Sequence, residues 1–300
     1  MKFKYLVISF FVLMLVASCG PKGPLGSAEN PIKMYFVPSV EAGKIVTSAT
    51  EIAELLNKET GYFFKVEVPL SYAAVIEAMG TEEADLAFLS TFAYILAKDN
   101  FDVNLALQVM RYGKEFYRGQ FITRKDSGIN NLEDIHGKVI GYTDVSSTSG
   151  YVYPASLLKS KDIKPKAHTF AGGHEQAVLS LYQGGVDVAC TYWSPPRDGI
   201  SQDARKRLIP TIPDVIEKTK IIGFTEWIPN GTVTFRKEFP SNINEEISNA
   251  FIKIIKTKRG HKIMSDLYNI DGFVKTDDST YDIVRKTLKE MNFNPDNFID

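Results

Sequence analysis

Short apolar runs alternate with helical patterns in the first part of the chain. Residues 32–37 and 63–68 are runs of the length and composition of buried strands. Between them, apolar side chains recur every three or four positions and stop at Gly61, which is typical of a helix with a C-terminal glycine. Further helices and strands are predicted at 73–79, 85–89, 91–98, 103–109 and 119–123. The alternation predicts an α/β fold with a mostly parallel sheet covered on both faces.

The same alternation starts again near residue 138. A helix, a glycine and a strand that opens with Asp, an aliphatic residue and Ala occur in both parts, with Asp85 and Asp187 at matching positions. Two similar units favour two similar lobes, although this combination is common in α/β proteins. The elements predicted here are strands at 138–142, 166–170 and 186–191 and helices at 151–160 and 174–183.

The last part of the chain is expected to return to the first lobe. Residues 232–235 predict a strand, and Asn242 with Glu245 resembles a capping box that opens an amphipathic helix. We expect two lobes, the first built from residues 31–122 plus 235–300 and the second from residues 123–234.

The amino terminus has the pattern of a bacterial export signal. Two lysines precede an apolar run at 5–17, which is shorter than the ~20 residues needed to span a bilayer. The run ends in Leu-Val-Ala-Ser before Cys19, which resembles a lipobox. An ordinary signal peptide followed by a chance cysteine is the alternative. We predict a signal peptide over 1–18, acylation of Cys19, a flexible tether over 19–30 and a location in the cell envelope, anchored to the membrane by lipid.

Composition limits the classes of partner. The 300 residues carry a formal net charge of −1 and no basic stripe, so no nucleic-acid partner is expected. Short basic runs such as 205–207 are interpreted as solvated helix faces. If Cys19 carries lipid, Cys190 has no intrachain disulfide partner and is expected to be a small buried residue. We expect a monomer.

Hydroxyl residues collect where predicted strands end and helices begin. Ser39 follows the first strand, Ser90 follows the third, and Ser147, Thr148 and Ser149 precede a later helix. Ligands of open α/β sheets bind beyond the carboxyl ends of the strands, where free N–H groups at helix starts favour an anion. Plain capping accounts for one hydroxyl such as Ser39, but a run of three exceeds what one cap needs. The run predicts a cradle for a phosphate-like anion that requires no Lys or Arg.

Three further side chains are candidates for the same crevice. His174, at a predicted helix start, could donate to an oxyanion or be an ordinary polar or packing residue. Tyr94 lies one turn into its helix and could reach the crevice. Asp187 either bonds the ligand or caps its strand. Spacing alone leaves these alternatives open.

Several segments together resemble one known family over nearly the whole mature chain. They are residues 72–80, 85–88 with Tyr94, 147–151, 173–175 with 186–187, and 228–230 before 235–237. They resemble the phosphate, phosphite and phosphonate-binding (PhnD-like) branch of ABC transporter substrate-binding proteins. The resemblance implies the type II periplasmic-binding-protein fold, with two Rossmann-like lobes that are joined by a two-strand hinge and close on a ligand. It also implies delivery of that ligand to a permease and ATPase complex.

The resemblance assigns roles to individual residues. Relatives that bind aminoalkylphosphonates hold the ammonium group with carboxylates, which would fall near Ser194 and Gly231. Neither position is acidic, so the expected ligand is phosphate, phosphite or an alkylphosphonate. Tyr72 opens one of the matched segments and is included among the candidates. The resemblance implies that the oxyanion meets Ser147, Thr148, Ser149, Tyr94 and His174.

Three other functions fit parts of the sequence. Ser147, His174 and Asp187 are the residue types of a hydrolytic triad, but no Gly-x-Ser-x-Gly elbow, zinc motif or nucleotide-binding loop accompanies them, so no catalysis, metal or cofactor is expected. A phosphorylated heterocycle such as a thiamine phosphate could stack on Trp193 and Tyr192, which otherwise are wall or core aromatics. A lipoprotein that senses its ligand without transporting it is the third alternative.

Overall fold

The computed structural model describes residues 23–290. Cys19 and the predicted signal peptide lie outside the described residues. The strands are β1 (Ile32–Phe36), β2 (Phe64–Glu67), β3 (Leu86–Leu89), β4 (Asn104–Met110), β5 (Phe116–Arg124), β6 (Val139–Tyr142), β7 (Ala167–Phe170), β8 (Val188–Trp193), β9 (Thr219–Pro229), β10 (Thr232–Phe235) and β11 (Gly272–Val274).

The helices lie between these strands in the alternation that the sequence predicts. They are α1 (Ala42–Thr60), α2 (Tyr72–Gly80), α3 (Thr91–Phe101), α4 (Tyr153–Ser160), α5 (His174–Tyr182), α6 (Val215–Lys218), α7 (Ser241–Ile254), α8 (Lys258–Tyr268) and α9 (Asp282–Glu290). A π-helical turn at Thr148–Val152 leads into α4, and a 3₁₀ turn at Ala204–Leu208 lies between β8 and β9.

The strands form two sheets. The first has the order β11-β4-β10-β3-β1-β2 and the second has the order β7-β6-β8-β5-β9. Parallel pairs join β1 to β2 and β3, and β6 to β7 and β8. The other pairs are antiparallel, so both sheets are mixed rather than mostly parallel. The reason is that β5 and β10 each enter their sheet directly from the other one. We call each sheet with the helices packed on it the first and second lobe.

The chain crosses between the lobes at residues 111–115 and 230–231. The expected boundaries at 122 and 235 were wrong by several residues, because β5 lies wholly in the second sheet and β10 wholly in the first. Polar and apolar residues are mixed in both strands, so their pattern carries no sign of where one lobe ends. At the second crossing, a Cβ on Gly231 would lie 2.2 Å from the carbonyl oxygen of Leu89, and only glycine allows this approach.

The matching aspartates have the same role in both lobes. Asp85 accepts a hydrogen bond from the backbone N–H of Lys33 at 2.9 Å, and Asp187 accepts one from Val139 at 2.9 Å. Lys33 and Val139 lie in the neighbouring parallel strands β1 and β6. The carbonyl oxygens of Lys33 and Val139 in turn accept a hydrogen bond from the backbone N–H of Asp85 and Asp187, respectively. Asp187 therefore fixes the pairing of β6 and β8, and the internal similarity of the sequence reflects two similar strand junctions.

Helices cover both faces of each sheet. Ile52 and Leu56 of α1 and Phe251 of α7 are fully buried on one face of the first sheet, and Val178 of α5 is fully buried on the second. Helix α7 begins after Pro240 with no side-chain cap, so the expected capping box is wrong. Proline fixes its own φ, here −58°, and so supplies the entry geometry without a capping side chain.

Two properties of residues 23–290 bear on function. None of the helices in this range combines the length and the apolar character needed to cross a bilayer. The same range brings no three His, Cys, Asp or Glu side chains together as ligands of a metal ion would be.

Candidate functional site

A cavity of about 70 Å³ lies between the two lobes. A volume of roughly 10–15 Å³ holds one water molecule, so this cavity accommodates a ligand of only a few heavy atoms. Both lobes contribute to its walls, at the ends of β1, β3, β6 and β8. Seven of the ten candidate ligand-binding residues line it, namely Ser39, Tyr72, Ser90, Ser147, Thr148, Ser149 and His174.

The hydroxyl run is folded into a tight turn at the cavity. Ser147 caps the π-helical turn by accepting a hydrogen bond from the N–H of Gly150 at 3.2 Å. A Cβ on Gly150 would lie 1.8 Å from Oγ1 of Thr143, so this glycine lets the turn pack against the preceding strand end. The turn thus places hydroxyls and N–H groups of a helix start at the cavity, which is an arrangement that stabilises an anion.

Two hydroxyls at the cavity also bond across it to the other lobe. Thr148 Oγ1 accepts a hydrogen bond of 2.8 Å from the N–H of Phe92, in the first turn of α3. Ser90 Oγ donates to the carbonyl oxygen of Ser146 at 3.4 Å. The backbone N–H of His174 also donates to the carbonyl oxygen of Ser39 at 3.3 Å. The lobes are therefore in direct contact around the cavity.

His174 is buried and neutral. Its side chain opens α5, is 6% exposed and packs edge-on against Tyr192, with ring centroids 4.9 Å apart. Burial, followed by the positive charges of Arg111 and Arg207, lowers its pKa to about 3. The buried Nδ1 has no hydrogen-bond partner in the described part of the chain. A neutral imidazole with a free nitrogen can hydrogen-bond a ligand without adding charge.

Three candidate residues do not line the cavity. The hydroxyl of Tyr94 donates to Asp278 Oδ1 at 2.6 Å, and its ring packs on Tyr281, so this side chain lies in the core beneath α3. Asp187 is occupied by the strand junction described above. Trp193 packs against Phe224, with ring centroids 4.7 Å apart. Sequence spacing gave the element of each residue, but not the direction of its side chain.

Two arginines that the sequence did not single out line the cavity. Arg111 lies at the first crossing between the lobes, and Arg207 lies on the 3₁₀ turn between β8 and β9. The basic run at 205–207 is not a solvated face, because Arg205 is buried in an ion pair with Asp203 at 2.7 Å. The expected cradle without Arg is therefore incomplete. Arg111 follows a predicted strand end, as the hydroxyl residues do, and that position was the available signal.

The cavity lining also contains Ser194 and Gly231, the two positions where carboxylates would hold an ammonium group. Neither Asp nor Glu is among the lining residues in the described range. The lining instead brings together hydroxyls, phenols, an imidazole and two guanidinium groups. This set binds anions through charge-assisted hydrogen bonds and, among the described residues, offers a cationic group no carboxylate partner.

Two lobes with a small cavity between them, in which hydroxyl, imidazole and guanidinium groups lie among apolar side chains, define a ligand-binding protein that holds its ligand between the lobes. The family of ABC transporter phosphonate periplasmic substrate-binding proteins matches residues 34–281 of this chain. The chain therefore belongs to that family. Its fold is the type II periplasmic-binding-protein fold, with a mixed α/β sheet in each lobe.

Individual relatives agree with this assignment. The phosphate-import protein PhnD of Mycolicibacterium smegmatis is 29% identical over 175 residues, which cover 54% of each chain, so this chain spans about half the length of that relative. A probable phosphite-binding protein of an ABC transporter, PhnD1 of Prochlorococcus marinus, is 19% identical over 304 residues, covering 96% of this chain and 98% of that one.

Solved structures show the same fold. The binding-protein component of an ABC phosphonate transporter from Pseudomonas aeruginosa gives a TM-score of 0.77 at 22% identity, covering 87% of each chain. PhnD1 of Prochlorococcus marinus in complex with methylphosphonate gives a TM-score of 0.75 at 15% identity, covering 88% of this chain and 98% of that chain.

Proposed function

We propose that this protein is the extracytoplasmic solute-binding component of an ABC importer and captures a small phosphorus oxyanion without an ammonium group. Phosphate, phosphite and short alkylphosphonates form the ligand class. The cavity carries this proposal, because it combines the hydroxyl turn at 147–149 with two arginines and has no carboxylate in its lining within the described part of the chain. Membership of the phosphonate-binding family supports the same conclusion.

The size of the cavity disfavours a phosphorylated heterocycle. A volume of about 70 Å³ suits an oxyanion with one or a few additional atoms, not a ring system as well. Of the two aromatic residues considered for stacking, Trp193 packs on Phe224 and does not line the cavity, whereas Tyr192 lines the cavity and packs edge-on against His174.

Direct binding measurements test the proposed ligand class. The full chain, dialysed free of oxyanions, is titrated with phosphate, phosphite and methylphosphonate in a calorimeter. We expect saturable binding of at least one of the three with one ligand per chain. Failure of all three to bind would contradict the proposal. Uptake by vesicles that contain the cognate permease and ATPase then separates an importer from a ligand sensor.

We further propose that Cys19 carries the lipid that anchors the protein to the membrane. Two or more acyl chains give stable attachment, whereas a single chain gives marginal binding. A Cys19→Ala protein is therefore expected in the soluble fraction after cell lysis, with the wild-type protein in the membrane fraction. Cys190→Ala is the matched control, since Cys190 is buried in the second lobe. Membrane association of the Cys19→Ala protein equal to wild type would contradict lipidation at this residue.

A further inference from the structure

Arg111 and Arg207 bond to the same helix end from two directions. Arg207 donates to the carbonyl oxygens of Asp266 at 3.3 Å and Leu267 at 3.0 Å, and Arg111 Nε donates to that of Tyr268 at 2.9 Å. These are the last three residues of α8, whose carbonyls have no partner within the helix and carry partial negative charge. The helix end thus orients both side chains at the cavity wall.

Neither guanidinium group has a carboxylate partner. Within residues 23–290, no Asp or Glu oxygen lies within 4.0 Å of the nitrogen atoms of Arg111 or Arg207. Arg111 has a second bond of 3.3 Å to the amide oxygen of Asn230, and the buried Nε of Arg207 has no hydrogen-bond partner among residues 23–290. Carbonyl oxygens carry only partial charge, and Glu175 acts on Arg207 from beyond ion-pair distance, so among the described residues neither positive charge has a carboxylate in direct contact.

The nearby acidic groups have direct partners other than the two arginines. Glu175, next to His174, forms an ion pair of 3.3 Å with Lys44, and Asp203 is bound to Arg205. Asp271 accepts a hydrogen bond from the N–H of Gly113 and is not part of the lining. The cavity lining therefore has a charge of about +2. Burial of unpaired charge is costly, and a ligand with two negative charges removes that cost most completely.

We propose that Arg111 and Arg207 determine the charge of the ligand, so that the site selects a tetrahedral oxyanion with two negative charges over one of the same shape with a single charge. This inference rests on the proposed function and adds to it the charge state of the ligand. Arg207 belongs to the second lobe and bonds to α8 of the first, so the residue that meets the ligand charge also holds the lobes together.

Two ligands of one shape test the proposal on the wild-type protein. Methylphosphonate at pH 9 carries two negative charges, whereas methanesulfonate has the same tetrahedral form and carries one. A hydrogen bond to a charged group changes affinity by roughly tenfold to a hundredfold, so we expect methylphosphonate to bind at least that much more tightly. Equal affinities would overturn the inference, whereas failure of methylphosphonate and the other phosphorus oxyanions to bind would overturn the proposed function instead.

Substitutions then assign the selectivity to the arginines. Arg207→Gln and Arg111→Gln are expected to weaken methylphosphonate binding by roughly tenfold to a hundredfold, and methanesulfonate binding by less, so the ratio of the two affinities falls. Arg207→Lys keeps the charge and should keep most of that ratio. An unchanged ratio in both Gln variants would overturn the assignment.

Arg118→Gln is the matched control. Arg118 also lacks a carboxylate partner in the described range, donates to the carbonyl oxygen of Thr225 and packs over Trp227, but it does not line the cavity. In Arg118→Gln, the ratio of the affinities for methylphosphonate and methanesulfonate is expected to equal that of the wild type. Thermal unfolding of each ligand-free variant shows whether the fold is intact. If Arg207→Gln does not fold, the Arg111→Gln ratio and the wild-type comparison decide the outcome.

Discussion

Thr148 is the residue at which the hydroxyl run and the contact between the lobes coincide. Its Oγ1 accepts the buried N–H of Phe92 from the first lobe, and its side chain lines the cavity. Thr148→Val keeps the shape and removes the hydroxyl. Because a hydrogen bond to a charged group contributes about 1.5–3 kcal/mol, we expect the affinity for the oxyanion to fall about tenfold or more in calorimetry.

Substitutions of two serines serve as comparisons for Thr148→Val. Ser156→Ala removes a buried hydroxyl outside the cavity and should leave affinity unchanged. Ser39→Ala is expected to cost less affinity than Thr148→Val, because its carbonyl rather than its side chain bonds the other lobe in the described structure. Unchanged binding of every phosphorus oxyanion by Thr148→Val would place the site elsewhere.

The buried His174 predicts how stability depends on pH. Its folded pKa is lowered to about 3 from 6.5, so between these values the unfolded chain binds more protons than the folded one. The stability linked to the neutral ring is complete above pH 6.5 and is lost as the pH falls. Lowering the pH from 7 to 5 should therefore reduce the free energy of unfolding by about 2 kcal/mol through this residue. Urea denaturation of ligand-free wild type and His174→Gln measures it, and equal pH dependence in the two proteins would contradict the assignment.

Residue type and position predicted most of the candidate residues that line the cavity, and side-chain direction explains the exceptions. Strand ends and helix starts face one crevice, so residues such as Ser90 and Ser149 could be placed from the sequence. Tyr94 was misplaced because its position in α3 does not reveal that Asp278, distant in sequence, binds its hydroxyl. Arg207 was missed because a basic run looks alike on a solvated helix and at a cavity wall.

At the scale of elements, the π-helical turn at Thr148–Val152 positions the hydroxyl groups that we propose as the oxyanion cradle. Gly150→Ala would place a Cβ 1.8 Å from Oγ1 of Thr143, a stiff β-branched residue, so the turn must shift. Overpacking of this kind costs about 1–3 kcal/mol. We expect a lower melting temperature and weaker oxyanion binding, measured by calorimetry on the same preparation.

Gly43→Ala is the contrasting change within a helix. Gly43 is exposed in the first turn of α1, and its new Cβ would meet only the flexible end of Glu41. Alanine is favoured over glycine in helices by up to about 1 kcal/mol, so stability should rise and affinity should stay the same. Equal effects of the two substitutions on binding would show that the turn is not part of the site.

The elements themselves were largely predictable because each has a strong local pattern. Helices α1 and α5 and strands β1, β6 and β8 lie close to their predicted positions. The mixed sheets could not be predicted, since the direction of β5 and β10 depends on which sheet receives them. Hydrophobic periodicity reports burial, not the partner strand.

At the scale of the molecule, the two crossings between the lobes bring four residues that are distant in sequence to one cavity. Arg111 and Gly231 lie at the crossings, and Ser194 and Arg207 come from the second lobe. The matching positions of Asp85 and Asp187 indicated two lobes in the sequence. The point at which the chain crosses from one lobe to the other, however, depends on which strands pair with each other in each sheet. Net charge also differs between the whole molecule and the site. The whole chain has a formal net charge of −1, whereas the cavity lining is positively charged.

The charge of the lining leads to a prediction about ligand tails. An ammonium group in a closed cavity needs a carboxylate partner, and the lining supplies two arginines instead. We therefore expect ethylphosphonate to bind more tightly than 2-aminoethylphosphonate, two ligands that differ in one charged group at the tail. Calorimetry with the wild-type protein compares them directly. Tighter binding of the aminoalkyl ligand would contradict this interpretation of Ser194 and Gly231, while leaving the hydroxyl turn as the oxyanion site.

Ser194→Glu provides the converse test of that interpretation. Ser194 is 3% exposed and lines the cavity, whereas Gly231 cannot accept a side chain beside Leu89. A carboxylate at 194 offsets part of the arginine charge, so it should weaken binding of ethylphosphonate and strengthen binding of 2-aminoethylphosphonate. Ser194→Gln has nearly the same size without the charge and separates crowding from electrostatics. Crowding alone would weaken the binding of both ligands equally in both variants. A charge effect would instead reverse the preference for ethylphosphonate over 2-aminoethylphosphonate, and only in Ser194→Glu.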